Sequence, residues 1–336
     1  MRISPEEVAR TLQVFGPSRD DRDLSGLAIE PIKRRRPVWL IPSVLLVSTI
    51  VSMAWAGIVA WAPFEILAQA TDQQSLFVVR QHVLANWASG LLFSISLAII
   101  LGAHELGHYI ASKLYGIPST LPLFIPFPFS PTGTCGAVIM MDGNQADRKQ
   151  FFDIGIAGPI AGLVFAIPIA ILGLTFSFSP QTTSDSIQFG QPLIIQALNY
   201  LVNSDGAVRM DWIANSSMNP MLMAAWVGFL VTGLNMIPIS QLDGGHVIFG
   251  LLGRRSKGVA WAAYLVCVAI VIYSSLRYGQ PMFVLMLLLI PLMGITHPQS
   301  RDDFVEIGVF RTVLGWASLT IPILCIPLRP VALLGY

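Results

Sequence analysis

The chain has 336 residues, 54% hydrophobic and only 12% charged, with a mean hydropathy of +0.66. A soluble globular domain carries about 25% charged residues, so composition excludes one and implies an all-α polytopic membrane protein. The formal net charge of +1 says nothing about partners by itself; the lipid bilayer is one partner, and no nucleic acid is expected.

Residues 1–36 read as a polar cytoplasmic arm. Ser4 to Glu7 forms a capping box that opens a short helix to about Phe15. Lys33-Arg34-Arg35-Arg36 abuts the first apolar run, and we read it as a topology determinant in preference to a lipid headgroup site. No secretory signal is visible. Glu6, Glu7, Asp20, Asp21, Asp23 and Glu30 fit poorly with an acid-poor transit peptide, which favours a bacterial plasma membrane over a plastid one.

About 20 apolar residues span a bilayer. That rule predicts helices near 38–62, 87–113, 151–178, 220–240, 258–276, 281–296 and 312–335, about six to seven transmembrane helices. The last is interrupted by Pro322, Pro327 and Pro330. Residues 37–86 hold the first helix and an extracytoplasmic loop, 87–255 the candidate catalytic core, and 256–336 the C-terminal helices. The connection 179–218 is polar, with Asp185, Asp205 and Asp211, and too short for a typical extra domain. His82 and His297 fall in predicted loops and are expected to be solvated. Cys267 and Cys325 lie in apolar runs as packing residues, and Cys135 completes no metal-ligand spacing.

Lys and Arg bias sets orientation. Arg148, Lys149, Arg254, Arg255, Lys257, Arg301 and Arg311 fall on the same side as the basic arm; the opposite loops carry Arg80, Arg209 and Arg277. The N-terminus is therefore predicted cytoplasmic. The second helix then runs inward and carries its motif toward the cytoplasmic side.

That motif is His104-Glu105-Leu106-Gly107-His108. HExxH on a helix puts two imidazoles one turn apart on a single face, able to reach one Zn²⁺, with the Glu alongside. An ionisable group at mid-membrane costs about 2.5–3.5 kcal/mol on insertion scales, so three together need a reason. A catalytic zinc takes three protein ligands. The candidate for the third is Asp243, in Asn235-Met236-Ile237-Pro238-Ile239-Ser240-Gln241-Leu242-Asp243-Gly244-Gly245-His246. Pro238 and Gly244-Gly245 break the helix there. Asp243 has a second reading as a cap of the following helix. His246 is a further candidate ligand, with a structural role preferred.

HELGH on one membrane helix and Asn-x-x-Pro-x-x-x-Leu-Asp-Gly on another resemble the site-2 protease family of intramembrane zinc metalloproteases. Gly133-Thr134-Cys135-Gly136-Ala137-Val138, Arg148-Lys149 and Ala157-Gly158-Pro159-Ile160-Ala161-Gly162 are similar to the same family, above all to its PDZ-lacking branch of bacteria and plastids. The resemblance covers about residues 87–255. It implies one zinc ion on His104, His108 and Asp243, with Glu105 as general base. It implies single-pass transmembrane substrates, anti-sigma-type factors after a first cut among them, and a membrane-associated β-hairpin near the active site. Thr134 to Met141 reads as a strand ending at Asp142-Gly143. Gly136, Ala137 and Val138 would hold an extended substrate by β-augmentation; an ordinary hairpin is the equal alternative. Asn235 either hydrogen-bonds the substrate backbone or the developing oxyanion, or makes a helix–helix hydrogen bond. Gly158 and Gly162 form a small-xxx-small pair, read as packing against the catalytic helix, with a kink expected at Pro159. The run Ile117 to Thr134, rich in Pro and Phe, reads as an irregular interfacial segment.

The same residues bear on other functional classes. A surface zinc protease acting on non-transmembrane substrates needs HExxH in a polar helix, whereas Leu97 to Leu101 and Tyr109 to Ala111 are apolar. A metal transporter has no need of Glu105. An inactive relative would not keep all four of His104, Glu105, His108 and Asp243.

Overall fold

The structure is a computed structural model that describes residues 39–176, 187–202, 212–214, 217–239, 241–278, 283–297, 300–327 and 329–333. The N-terminal arm with its capping box and basic cluster lies outside the described residues, as do Asp185, Asp205 and Asp211.

Helix α1 (Leu40–Ile58) is followed by the short α2 (Pro63–Asp72) and the long α3 (Phe77–Leu114). α1 and α3 approach through glycines: a Cβ on Gly57 would sit 2.9 Å from the Gly90 Cα. Small residues let backbones come this close where lipid supplies no hydrophobic drive. α3 has 38 residues, about 57 Å at 1.5 Å per residue, so it outruns a hydrocarbon core of about 30 Å. It starts ten residues before the expected 87, because Arg80 to His82 extend it as helix beyond the apolar stretch. His82 is therefore not a solvated loop residue; it is a buried helical one, with Nδ1 3.0 Å from the Val78 carbonyl.

Strands β1 (Leu123–Pro126) and β2 (Thr134–Val138) form an antiparallel hairpin, with Leu123 opposite Val138 and Phe124 opposite Ala137. The run expected to be irregular thus contains one strand. Ser52 of α1 donates to the Gly133 carbonyl at 2.6 Å. Gly133 has φ +72°, and a Cβ there would meet the Met53 Cα at 2.5 Å. The hairpin is tied to α1 through a position only glycine fills comfortably.

α4 (Arg148–Thr175) opens on a capping box in which Asp147 accepts from the Gln150 N–H and the Gln150 side chain accepts from the Asp147 N–H. It continues as helix through Pro159 and Pro168. After β3 (Ile187–Gly190), α5 (Leu193–Val202) and β4 (Trp212–Ala214) comes α6 (Pro220–Asn235), whose 16 residues pack against α3 and α4. Trp61, Phe93, Phe189 and Trp226 join these elements edge to face, and the Trp226 indole N–H donates to the Gly190 carbonyl.

α7 (Asp243–Leu252), α8 (Ser256–Tyr278), α9 (Val284–Met293), α10 (Gly308–Ser318) and α11 (Ile321–Cys325) complete the helices, and β5 (Val331–Leu333) follows. The predicted helix 312–335 is corrected. It breaks after Ser318, a second short helix begins at Ile321 with Pro322 in its first turn, and residues 331–333 are a strand in a sheet of order β4-β3-β5. Prolines remove the backbone donors that one continuous helix would need. Among the described residues five helical stretches are long and apolar enough to cross a membrane: Leu40–Ile58, Phe77–Leu114, Arg148–Thr175, Asp243–Arg277 and Gly308–Cys325. The shorter apolar α6 and α9 occupy the other two predicted positions.

Arg148, Arg254, Arg301 and Arg311 make contacts around the start of α4 and the segment before α10. Arg148 donates to the Gly250 and Leu251 carbonyls, Arg301 pairs with Asp147, and Arg311 grips Asp153 through Nε and Nη2 at 2.6 and 2.9 Å. Two backbone bonds, Arg148 N to Asp302 O and Arg301 N to Ala146 O, fix the segment before α10 there. Ser300 and then Arg254 bond the Asp303 carboxyl and hold it below the usual carboxylate range.

Candidate metal centre

α3 carries His104, Glu105 and His108 in its last three turns; His104 and His108 face α4, and His104 also meets Asn235 of α6. The fourth member arrives by a broken helix. α6 ends at Asn235, the chain turns through Pro238, and α7 restarts with Asp243 as its first residue. A Cβ on Gly244 would lie 2.1 Å from the Met236 carbonyl oxygen, so this return requires glycine. The N-cap of α7 is Leu242, without a side-chain cap; the Asp243 side chain is left for the site.

His104 Nε2 lies 3.2 Å from His108 Nε2 and 3.2 Å from Asp243 Oδ2, and His108 Nε2 lies 3.3 Å from Asp243 Oδ1. Zinc binds imidazole nitrogen at about 2.0–2.1 Å, and the corners of such a tetrahedron are about 3.3–3.4 Å apart. The three side chains already have that spacing. They form the one group of three or more His, Cys, Asp or Glu side chains, among the described residues, able to share an ion. The buried Asp243 Oδ2 has the His104 imidazole as its neighbour at 3.2 Å, and a shared cation would neutralise the buried carboxylate.

The surroundings support the ligands. His108 Nδ1 donates to the Ile154 carbonyl at 2.8 Å, which leaves the Nε2 lone pair for the metal. Gly158 and Gly162 face the imidazoles: a Cβ at Gly158 would stand 2.1 Å from His108 Nε2, and one at Gly162 would stand 3.2 Å from His104 Nδ1. The small-xxx-small pair therefore packs on α3 as expected, with its two gaps filled by the His108 and His104 side chains. Asn235 Nδ2 is 3.5 Å from His104 Nε2, so it touches the metal site as well as bridging two helices. Glu105 is 8% exposed and in no ion pair or hydrogen bond among the described residues.

A cavity of about 180 Å³ opens on this centre. His104, Glu105, His108, Asn235, Asp243, Ala137 and Val138 all line it; Gly136, with φ +96°, does not. His246 lines it too, and its Nδ1 is 2.7 Å from His297 Nε2. His297 lies in a loop as expected but is half-buried rather than solvated, with its ring flat on Phe249 at 4.1 Å. Sequence reading missed this residue and the Ile154 carbonyl. Neither carries a motif, and only the fold brings them near.

The family model described as peptidase family M50 matches residues 92–274, which include every ligand named above. The chain belongs to peptidase family M50. Among M50-like relatives, "probable zinc metalloprotease EGY2, chloroplastic" of Arabidopsis thaliana is 27% identical over 234 residues, 67% of this chain and 41% of that protein. "Probable zinc metalloprotease EGY1, chloroplastic" of the same plant is 25% identical over 292 residues, 85% of this chain and 52% of that protein. The EGY1 protein of Oryza sativa subsp. japonica is 29% identical over 219 residues, 64% of this chain and 38% of that protein. The chain thus spans about half the length, or less, of these relatives. No solved structure matches it.

Proposed function

We propose that the chain is an intramembrane zinc endopeptidase that hydrolyses peptide bonds in or near the transmembrane segments of single-pass membrane proteins. The observation that carries this reading is the trio of ligand atoms held 3.2–3.3 Å apart within apolar helices, beside a carboxylate with no other task.

His104, His108 and Asp243 would hold the zinc, which when bound lowers the pKa of water and polarises a carbonyl. Glu105 takes the proton from the attacking water and delivers it to the leaving amine. Its neighbours supply no competing donor, so the carboxylate is free to move protons. A substrate helix must unwind before cleavage, and its freed backbone groups need partners away from water. β2 is paired on one side by β1, and Ala137 and Val138 line the cavity. Its second edge would accept the substrate strand. Replacing Ala137 by proline removes one backbone donor, worth about 1 kcal/mol, and is expected to lower kcat/KM by about five- to tenfold. Unchanged cleavage at a normal folded yield would count against the strand clamp.

The sites of action go with this reading. We propose a multi-pass protein of the bacterial plasma membrane, with the arm and active site on the cytoplasmic side. The name "chloroplastic" belongs to the relatives. Anti-sigma-type factors after a first cut are the proposed substrates by family resemblance. A transporter reading is weaker, since no second ligand cluster extends a transit path among the described residues.

Metal removal tests the proposal. Dialysis of the purified protein against a chelator is expected to abolish cleavage of a labelled single-pass substrate, and one equivalent of zinc to restore it. Full cleavage by metal-free protein would overturn the proposal.

A further inference from the structure

We infer that His246 is a hydrogen-bond donor to the scissile carbonyl oxygen as charge develops on it, and that His297 is the positioning residue that makes it one. The inference rests on the peptidase reading above.

His246 is three residues after Asp243, one turn along α7, and its side chain lines the metal cavity together with Glu105. It stands outside the group whose ligand atoms can share an ion. It faces the reaction space without being needed to hold the metal.

Its ring is held on several sides. Phe151 stacks on it at 5.2 Å and 16°. Gly155 makes room for it, since a Cβ there would come within 2.6 Å of the His246 Cβ. His297 meets it edge-on, with His297 Nε2 2.7 Å from His246 Nδ1. His297 in turn lies flat on Phe249 at 4.1 Å and 2°, and edge-on to Phe151 at 4.7 Å. A side chain locked in this way is a preorganised donor, which is what oxyanion stabilisation requires.

One proton lies between the two rings, and its owner decides what His246 offers the cavity. If His297 Nε2–H donates to His246 Nδ1, neutral His246 keeps its proton on Nε2. If His246 donates, Nε2 presents a lone pair to a cavity that the carboxylates of Glu105 and Asp243 also line. A lone pair there would repel a developing oxyanion, whereas an N–H attracts it, so oxyanion stabilisation requires the first arrangement. His297 thus acts from the segment between α9 and α10, beyond residue 274, where the family match ends. The two backbone bonds from residues 146 and 148 to residues 301 and 302 hold that segment in place.

The test has two readouts on full-length, zinc-loaded protein in micelles. The first is the ¹⁵N shift of the histidine side chains. His246 is expected as the Nε2–H tautomer in wild type and to lose that preference in His297→Leu. A wild-type Nδ1–H tautomer overturns the inference whether or not a substrate is cleaved. The second is cleavage kinetics with bound zinc measured alongside. His246→Phe and His246→Asn are expected to lose about 10²–10³ in kcat with little change in KM. His297→Leu is expected to lose about tenfold or more, and His297→Gln, which keeps an N–H donor, less. Wild-type kcat in zinc-loaded His246→Phe overturns the inference while leaving the peptidase reading intact. A wild-type protein that cleaves nothing overturns the peptidase reading, and the tautomer measurement still decides the hydrogen bond.

Discussion

Glu105→Gln is expected to lower kcat by about 10³-fold while the protein keeps its zinc. General acid–base catalysis by a positioned side chain contributes about 10²–10⁴, and glutamine has nearly the same shape with no basic oxygen. The change should be well tolerated structurally. Glu105 makes no ion pair or hydrogen bond among the described residues, so nothing in the protein loses a partner. None of the three ligand atoms is its own, so zinc per protein should equal wild type. Purified enzyme and a labelled single-pass substrate give the rate; elemental analysis gives the metal. Equal cleavage by wild type and variant would sink the general-base assignment. Absent cleavage by both, with zinc bound, would move the transporter reading up.

Much of this site was legible because its chemistry is local. HELGH puts two candidate ligands one turn apart on a helix with a candidate base between them, and Asn235 to Gly244 announces a helix broken at membrane depth. The apolar runs gave the membrane helices for the same reason, since about 20 hydrophobic residues have few other fates. What sequence could not give is long-range. Nothing around His297 signals that its ring will stack on Phe249 and reach His246. The sheet of β3, β4 and β5 unites strands from residues 187–190, 212–214 and 331–333, and three or four residues are too few for a strand period to show. His82 was misplaced because a helix need not stop where hydrophobicity does. Hydropathy reports the lipid-facing part of α3, and hydrogen bonding carries the helix past it.

The Gly158 and Gly162 pair separates helix packing from metal geometry, because one added methyl affects them differently. Alanine is about 1 kcal/mol better than glycine inside a helix, so Gly158→Ala should not weaken α4 as a helix. Its new Cβ would nevertheless lie 2.1 Å from His108 Nε2 and 2.5 Å from the adjoining ring carbons. That atom is a proposed zinc ligand, and the ring is pinned from its other side by the 2.8 Å bond from Nδ1 to Ile154. Relief to an ordinary contact needs a shift of about 1 Å, whereas ligand distances tolerate about 0.2 Å. Gly158→Ala is therefore expected to lose up to about 100-fold in zinc affinity, with the loss of activity following the loss of metal. At Gly162 the same methyl would sit 3.2 Å from His104 Nδ1 and 3.5 Å from Thr232 Oγ1, which a few tenths of an ångström relieve. Gly162→Ala should keep most of its zinc. Zinc retention under a graded chelator, with a thermal melt of each variant, makes the comparison. Full zinc and full activity in folded Gly158→Ala would mean that α4 does not press on His108 as closely as these distances require.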